Sequence, residues 1–333
     1  GNRRTWTFSA WVKRGQVGTL SGVHLFGADR GSGYGDRITF GNGDTDDRFN
    51  VGFNDAGDGR LQTKRYFKNT STWTNFVVAV DTEQPTAANR VKLYINGTLL
   101  TADDLDTASY PAEDYDTYVN YTTAQMVGAR GGSASQFMDG YMAEVVMIDG
   151  TQLDASSFGQ TDTSTNRWIP KDVSGLTFGT NGFYLNMADK NDLGDDESGQ
   201  GNDFTETNMD TTNGSNQMYG TPTRNTAVQN NTQSNAALSL GNLKTTQTAS
   251  GSGNWGRSRS TLPLPANSKI YLEGYVDEIG NAMCFGLIGE AENWASGDGG
   301  FTGVNALTMY TYNSGWATSY VYAQNKAVFS QAA

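Results

Sequence analysis

At 333 residues the chain is long enough for two domains with separate cores, and 41 glycines, 6 prolines, 16 tyrosines, 15 phenylalanines and 7 tryptophans favour strands and tight turns. A formal charge of −12 without a basic stripe argues against a nucleic-acid partner. One cysteine, Cys284, excludes an intramolecular disulfide and a cysteine-built zinc cage, and one histidine, His24, argues against histidine catalysis or a multi-histidine metal site.

The first predicted strand is Thr5-Trp-Thr-Phe-Ser-Ala-Trp-Val-Lys. Alternation puts Trp6, Phe8, Ala10 and Val12 on one face, and Thr5, Thr7, Ser9, Trp11 and Lys13 on the other. The first set reads as core. Trp11 is the apolar exception on the polar face and is expected to be covered by residues 151–208 or by another subunit. Strands follow at 23–27, 37–40 and 47–53, with Phe49, Val51 and Phe53 sharing a face. The near-continuous apolar run at 74–81 reads as a strand buried on both sides. Val91, Leu93 and Ile95 lead into Asn96-Gly97, a hairpin signal of type I′, and 140–148 is a further strand.

Residues 151–208 change character, with a short helical turn at 153–158 and a strand at 182–188. Residues 209–254 are rich in Thr, Asn, Ser, Gln and Gly and read as a polar linker or extended arm. Alternation returns at 268–277 and 281–289, read as one hairpin, and at 308–312 and 319–323, read as a second. No long segment has a 3.6-residue period, so the protein is all-β. No apolar run is long enough to cross a membrane, and no signal peptide is visible.

Catalytic constellations are weak. Glu144 and Asp149 are the best acid pair, but their odd spacing puts them on opposite sides of a regular strand, and Glu144 reads as solvated. His24 reads as a strand histidine with a satisfied ring, and Cys284 as a small buried side chain. No G-x-S-x-G elbow occurs. The run Asp189–Gln200 mimics a calcium loop, but Leu193 and Gln200 stand where a carboxylate ligand and the bidentate Glu are required. A looser oxygen-ligand calcium site could use Asp44, Asp46 and Asp47, or Asp189, Asp192 and Asp195, although acid-rich turns are usually just solvated. Trp73, Trp255, Trp294 and Trp316 are candidates for stacking on a sugar ring, with burial in a sandwich the commoner fate of such residues.

Several pieces occur in a particular order: 1–14 (Gly-Asn-Arg-Arg-Thr-Trp-Thr-Phe-Ser-Ala-Trp-Val-Lys-Arg), 72–81, 91–97, Phe137-Met-Asp-Gly-Tyr-Met-Ala-Glu-Val, Gly182-Phe-Tyr-Leu and Asp196-Glu-Ser-Gly-Gln-Gly-Asn-Asp-Phe. In this order they resemble the laminin G-like, concanavalin A-like sandwich domains of structural proteins of tailed, notably marine, bacteriophages, over residues 1–208. Gly241-Asn-Leu-Lys, Ser252–Thr261 and the 270–289 hairpin resemble the start of a SPRY-type sandwich. The resemblance implies a laminin G-like sandwich over 1–150, an extension at 151–208 that packs on or completes it, an arm at 209–254 and a partial SPRY-like domain over 255–333. It also implies a strand before the opening ribbon and later strands of the SPRY-like part, so the chain is expected to be a piece of a longer polypeptide, with a shortened or divergent second domain as the alternative.

The implied function is that of a non-enzymatic virion protein, a tail fibre, head fibre or capsid-surface decoration, located on the particle surface. Its implied partners are other virion proteins, further copies of itself in a homo-oligomer and a host surface glycan or protein, with no membrane insertion. No cofactor other than calcium is implied. The alternatives are a carbohydrate-binding module of a secreted or cell-surface bacterial adhesin and, behind it, a glycan-cleaving enzyme.

Overall fold

The computed structural model describes residues 1–207 apart from residue 16 and the stretches 19–21, 31–34, 42–45, 55–56 and 132–134. Beyond them it describes residues 209, 217, 220–225, 229, 236–239, 244–246, 258–260, 262, 282–288, 306–312, 318–323 and 326–332. The chain divides into two units, Gly1–Thr246 with Ser258–Leu262, and Gln247–Arg257 with Pro263–Ala333.

The strands of the first unit are β1 (Thr5–Arg14), β2 (Val23–Ala28), β3 (Asp36–Phe40), β4 (Arg48–Phe53), β5 (Gly59–Tyr66), β6 (Thr74–Asp81), β7 (Val91–Ile95), β8 (Thr98–Leu99), β9 (Leu105–Ser109), β10 (Gln125–Val127), β11 (Gly140–Asp149), β12 (Gly159–Asp162), β13 (Arg167–Pro170), β14 (Phe183–Leu185), β15 (Ala237–Ser239) and β16 (Lys244–Thr246). Twelve of them form two six-stranded antiparallel sheets, while β12–β13 and β15–β16 are separate two-stranded pairs. Sheet A runs β14-β11-β1-β6-β7-β8, and sheet B runs β10-β2-β3-β4-β5-β9. This is a concanavalin A-like β-sandwich.

The main core lies between the sheets. Trp6, Phe8, Ala10 and Val12 of β1 join Phe76, Val78 and Val80 of β6, facing Phe26, Phe40, Phe49 and Phe53 of sheet B. Phe40, Phe49, Phe67 and Phe76 form a cluster whose ring centroids stand 4.6 to 6.5 Å apart. Such tilted and edge-on pairs add specificity to the area they bury.

The run at 74–81 is buried on both faces, and the second face has its own core. Val77 and Ala79 pack with Tyr94, Val146 and Ile148 against Ala155, Phe158, Val173 and Phe178. Residues 153–178 therefore coat the outside of sheet A, while β14 lengthens its edge beside β11. The short helical turn falls at Ala155–Ser157, capped by Asp154, whose side chain accepts from Ser156 N. The Asn96-Gly97 turn has positive φ at both residues, 47° and 81°, as a type I′ turn requires. A Cβ at position 97 would also lie 2.7 Å from the Trp168 ring, so glycine serves both the turn and the coat.

One expectation fails at a bulge. The partner of β1 steps from Val146 at Ser9 to Ala143 at Trp11, so β11 holds an extra residue there, and Glu144 has φ 50°. Glu144 is half-buried and partnered rather than freely solvated. Its carboxylate accepts from the Tyr184 hydroxyl, and burial pushes its pKa up against the pull of that hydrogen bond. Asp149 is engaged elsewhere, by Asn2 N, Asn181 N and the Asn120 amide. The two acids thus stand apart, although the strand between them is not regular.

In the second unit, β17 (Ala282–Ile288), β18 (Ala306–Tyr312), β19 (Thr318–Ala323) and β20 (Lys326–Ala332) form an antiparallel sheet in chain order. The pairing of β18 with β19 matches the expected second hairpin. Strand β17 pairs with β18, and its expected partner at 268–277 lies outside the described residues.

Asp36 ties loops of the sandwich together by accepting from Asn54 N at 2.9 Å and from Tyr118 N and Val119 N. Burial pushes its pKa up to about 6, against an ordinary 3.8. The folded state then holds this proton more tightly than the unfolded state. Relative to an Asp36→Asn variant, unfolding free energy should fall by roughly 2–3 kcal/mol as pH rises from about 4 to above about 6. Urea unfolding of both proteins across that window checks the sign, and a flat difference would show that Asp36 has no raised pKa.

Candidate functional site

The outer face of sheet B is polar where its inner face is apolar. Alternation against the core residues turns His24, Thr39, Asn50, Gln62 and Thr107 outward, and cross-strand pairing sets them in one row over five strands. The next row is Gly27, Arg37, Gly52, Arg60 and Ser109. A bulge at Leu25 makes this possible, because Leu25 and Phe26 both enter the core and leave His24 and Gly27 outside.

Most of the first row is buried. His24, Thr39, Asn50 and Gln62 have almost no exposed surface. Burial pulls the His24 pKa down to about 4, so the ring is neutral at pH 7. The Asn50 amide has no hydrogen-bond partner among the described residues on either its oxygen or its nitrogen.

The rim of this face is exposed and charged. Arg48 pairs with Tyr66 across β4 and β5. Its guanidinium is held by Asp46 and by Asp106, the latter at 2.7 Å, and Asp46 also accepts from the Gln62 amide at 3.3 Å. Burial works against the Asp46 carboxylate, but the Arg48 hydrogen bonds outweigh it and hold its pKa below the usual range. Tyr66 is 54% exposed. The Arg48 guanidinium carbon is 5.6 Å from its ring centroid, and Lys68 Nζ is 5.4 Å away. A half-exposed aromatic ring with two cations over it, one of them fixed by carboxylates, can contact a flat apolar surface while polar neighbours bond hydroxyls. Behind the rim, Lys68 Nζ lies 3.9 Å from Asp47, and Asp47 makes a buried pair with Arg14 at 2.8 Å. Arg14 also donates to Phe67 O and lies over the Phe40 ring.

The residues picked out from the sequence are scattered. Trp11 is 2% exposed, on the outer face of sheet A opposite Asn75. Trp73 is 8% exposed with its ring 6.4 Å from that of Tyr141, so it presents no open face to solvent. Trp255, Trp294 and Trp316 lie outside the described residues, as does Asp44. Asp46 and Asp47 are committed to Arg48 and Arg14 respectively. Asp189 is exposed and accepts from Asn191 N at 2.8 Å, and Asp195 is exposed. Desolvation, then repulsion from Glu206 and Asp195, raises the Asp192 pKa. Among the described residues no three His, Cys, Asp or Glu side chains are placed to hold a metal. No helix among them is long and apolar enough to cross a membrane. Tyr66 and Arg48 were not singled out from the sequence. The available signal was a tyrosine ending a strand whose partner strand opens with arginine.

Residues 2–156 match a laminin G family model of the concanavalin A-like lectin/glucanases superfamily. A search of curated proteins found no match. Among solved structures, the chain is similar to domain 4 of AbnA, a GH43 extracellular arabinanase from Geobacillus stearothermophilus, solved with arabinotriose. The identity is 18% and the TM-score 0.31, over 46% of this chain and 64% of that one. It is also similar to the binding domain of botulinum neurotoxin DC in complex with SialylT, at 14% identity and a TM-score of 0.23, over 33% of this chain and 27% of that one.

The Arg14–Asp47 pair anchors the base of the rim, and burial lowers the Arg14 pKa against the pull of Asp47. Asp47→Asn should leave the buried guanidinium without its counter-charge and cost about 3–5 kcal/mol. Urea unfolding at pH 7 measures this, and a loss below about 1 kcal/mol would show that the pair does not hold the rim.

Proposed function

We propose that the first unit is a lectin-like recognition module of a bacteriophage virion protein, a tail fibre, head fibre or capsid-surface decoration, and that it contacts a host surface glycan through the Tyr66 rim. The single observation behind the glycan contact is the Tyr66 ring, over half exposed between Arg48 and Lys68 on the polar side of a lectin-like sandwich. The virion setting is supported by the ordered motifs from Gly1–Arg14 to 196–204. A binding role in preference to a catalytic one is supported by Glu144 and Asp149, which are each engaged by separate partners. The polar arm at 209–254 and the β17–β20 sheet, read as a partial SPRY-like domain, complete the proposed organisation, and further copies of the chain and other virion proteins are the proposed neighbours.

A glycan array probed with the protein tests the contact. Tyr66→Ala should weaken any specific glycan signal about five- to tenfold, the equivalent of one aromatic stacking contact of about 1 kcal/mol. Unchanged binding by a folded Tyr66→Ala protein would move the contact elsewhere. Recovery of the chain with purified virus particles supports the virion setting, and recovery only from bacterial surfaces supports the adhesin alternative.

A further inference from the structure

The outer face of sheet A holds a second cluster that takes no part in the Tyr66 rim. Lys13 pairs with Tyr141 across β1 and β11. On its other side, Val12 pairs with Thr74, and continuing that register brings Trp73 beside Lys13. Trp11, two residues along β1, shares this face. Lys13 is fully buried, and the Trp11 and Trp73 side chains are each more than nine-tenths buried. The indole N–H groups of Trp11 and Trp73 have no hydrogen-bond partner among the described residues.

Asn225 sits on this cluster. Lys13 Nζ donates to its carbonyl oxygen at 2.9 Å, and its amide nitrogen donates to Ser71 O at 2.6 Å. A carboxamide is thus read at both ends, acceptor and donor, on a lysine whose strand neighbours are Trp73 and Tyr141, with rings 6.4 Å apart. The chain around Asn225 is held by polar contacts. Arg167 donates to Pro222 O at 3.0 Å, and the Gln217 amide donates to Met187 O and Ala188 O.

We infer that Trp11, Lys13, Ser71, Trp73 and Tyr141 form a socket for the acetamido group of an N-acetylated sugar, which Asn225 fills in cis. An acetamido group offers the same carbonyl acceptor and N–H donor as the asparagine side chain. It adds a methyl group for the aromatic rings, and its sugar ring adds hydroxyl acceptors for the two indole donors that Asn225 leaves unmatched. A hexose without the amide lacks the group that the socket reads. The choice of a sugar rests on the recognition role proposed above. The socket lies on the other sheet from Tyr66, so the two sites fail separately.

The test is a titration of the whole chain with N-acetylglucosamine and with glucose, read by tryptophan emission. Emptying the socket with Asn225→Ala removes the competitor, so N-acetylglucosamine should shift the emission at about tenfold lower concentration than in the unsubstituted chain. Glucose should give no shift. Gln217→Ala, which loosens the arm away from the socket, should act in the same direction and serves if Asn225→Ala does not fold. Adding Lys13→Met should abolish the response, and adding Tyr66→Ala should leave it intact. No N-acetylglucosamine response in either folded arm variant, or an equal response to glucose, overturns the socket.

Discussion

Sheet A is buried on both faces, and much of the molecule follows from that constraint. A sheet in a sandwich ordinarily packs one face and gives the other to water, with polar residues outside. Here the central strand pair β1–β6 places Phe8, Phe76 and Val78 in one core while Val77 and Ala79 lie in another. The apolar outer face needs a cover, and residues 153–178 supply it. Trp168 of that cover donates to Asn75 Oδ1 at 3.2 Å, fastening it to the middle of the sheet. The same face seats Asn225 on Lys13, so the arm is drawn onto a surface that already excludes water.

Sheet B has the complementary arrangement. Its inner face shares the phenylalanine core and its outer face carries rows of polar side chains, most of them buried, with exposed charge and Tyr66 confined to the rim. Charges near the rim are paired by strand register and not by sequence adjacency alone. Asp47 reaches back to Arg14 and Arg48 reaches forward to Asp106, which leaves Tyr66 open between Arg48 and Lys68. A protein with a formal charge of −12 thereby presents a local site in which cations flank an aromatic ring.

The strands with strict alternation or a continuous apolar run were legible in the sequence, because burial on one or two faces leaves a period that can be counted. The 74–81 run and the inward sets of β1 and β4 are examples. Strand β5 was not, because the bulge around Thr63 breaks its alternation and its last residues are exposed. Glu144 misled for the same reason, since one extra residue in β11 defeats any argument from odd and even spacing. The acidic turn at Asp46 and Asp47 looked like a cation site because the arginines that neutralise it come partly from β1, far away in sequence. Trp11 was readable as an oddity on a polar face, whereas the Tyr66 rim depends on a pairing that no local pattern announces.

Hydrogen exchange on the native chain tests the two-faced sheet most directly. If 153–178 is an integral coat, the amides of β1 and β6 exchange slowest, and Phe158 N, bonded to Ala155 O, and Leu176 N, bonded to Val173 O, are protected well above the exposed strand β8. Rapid exchange throughout 153–178, with β1 and β6 no better protected than β8, would contradict the account.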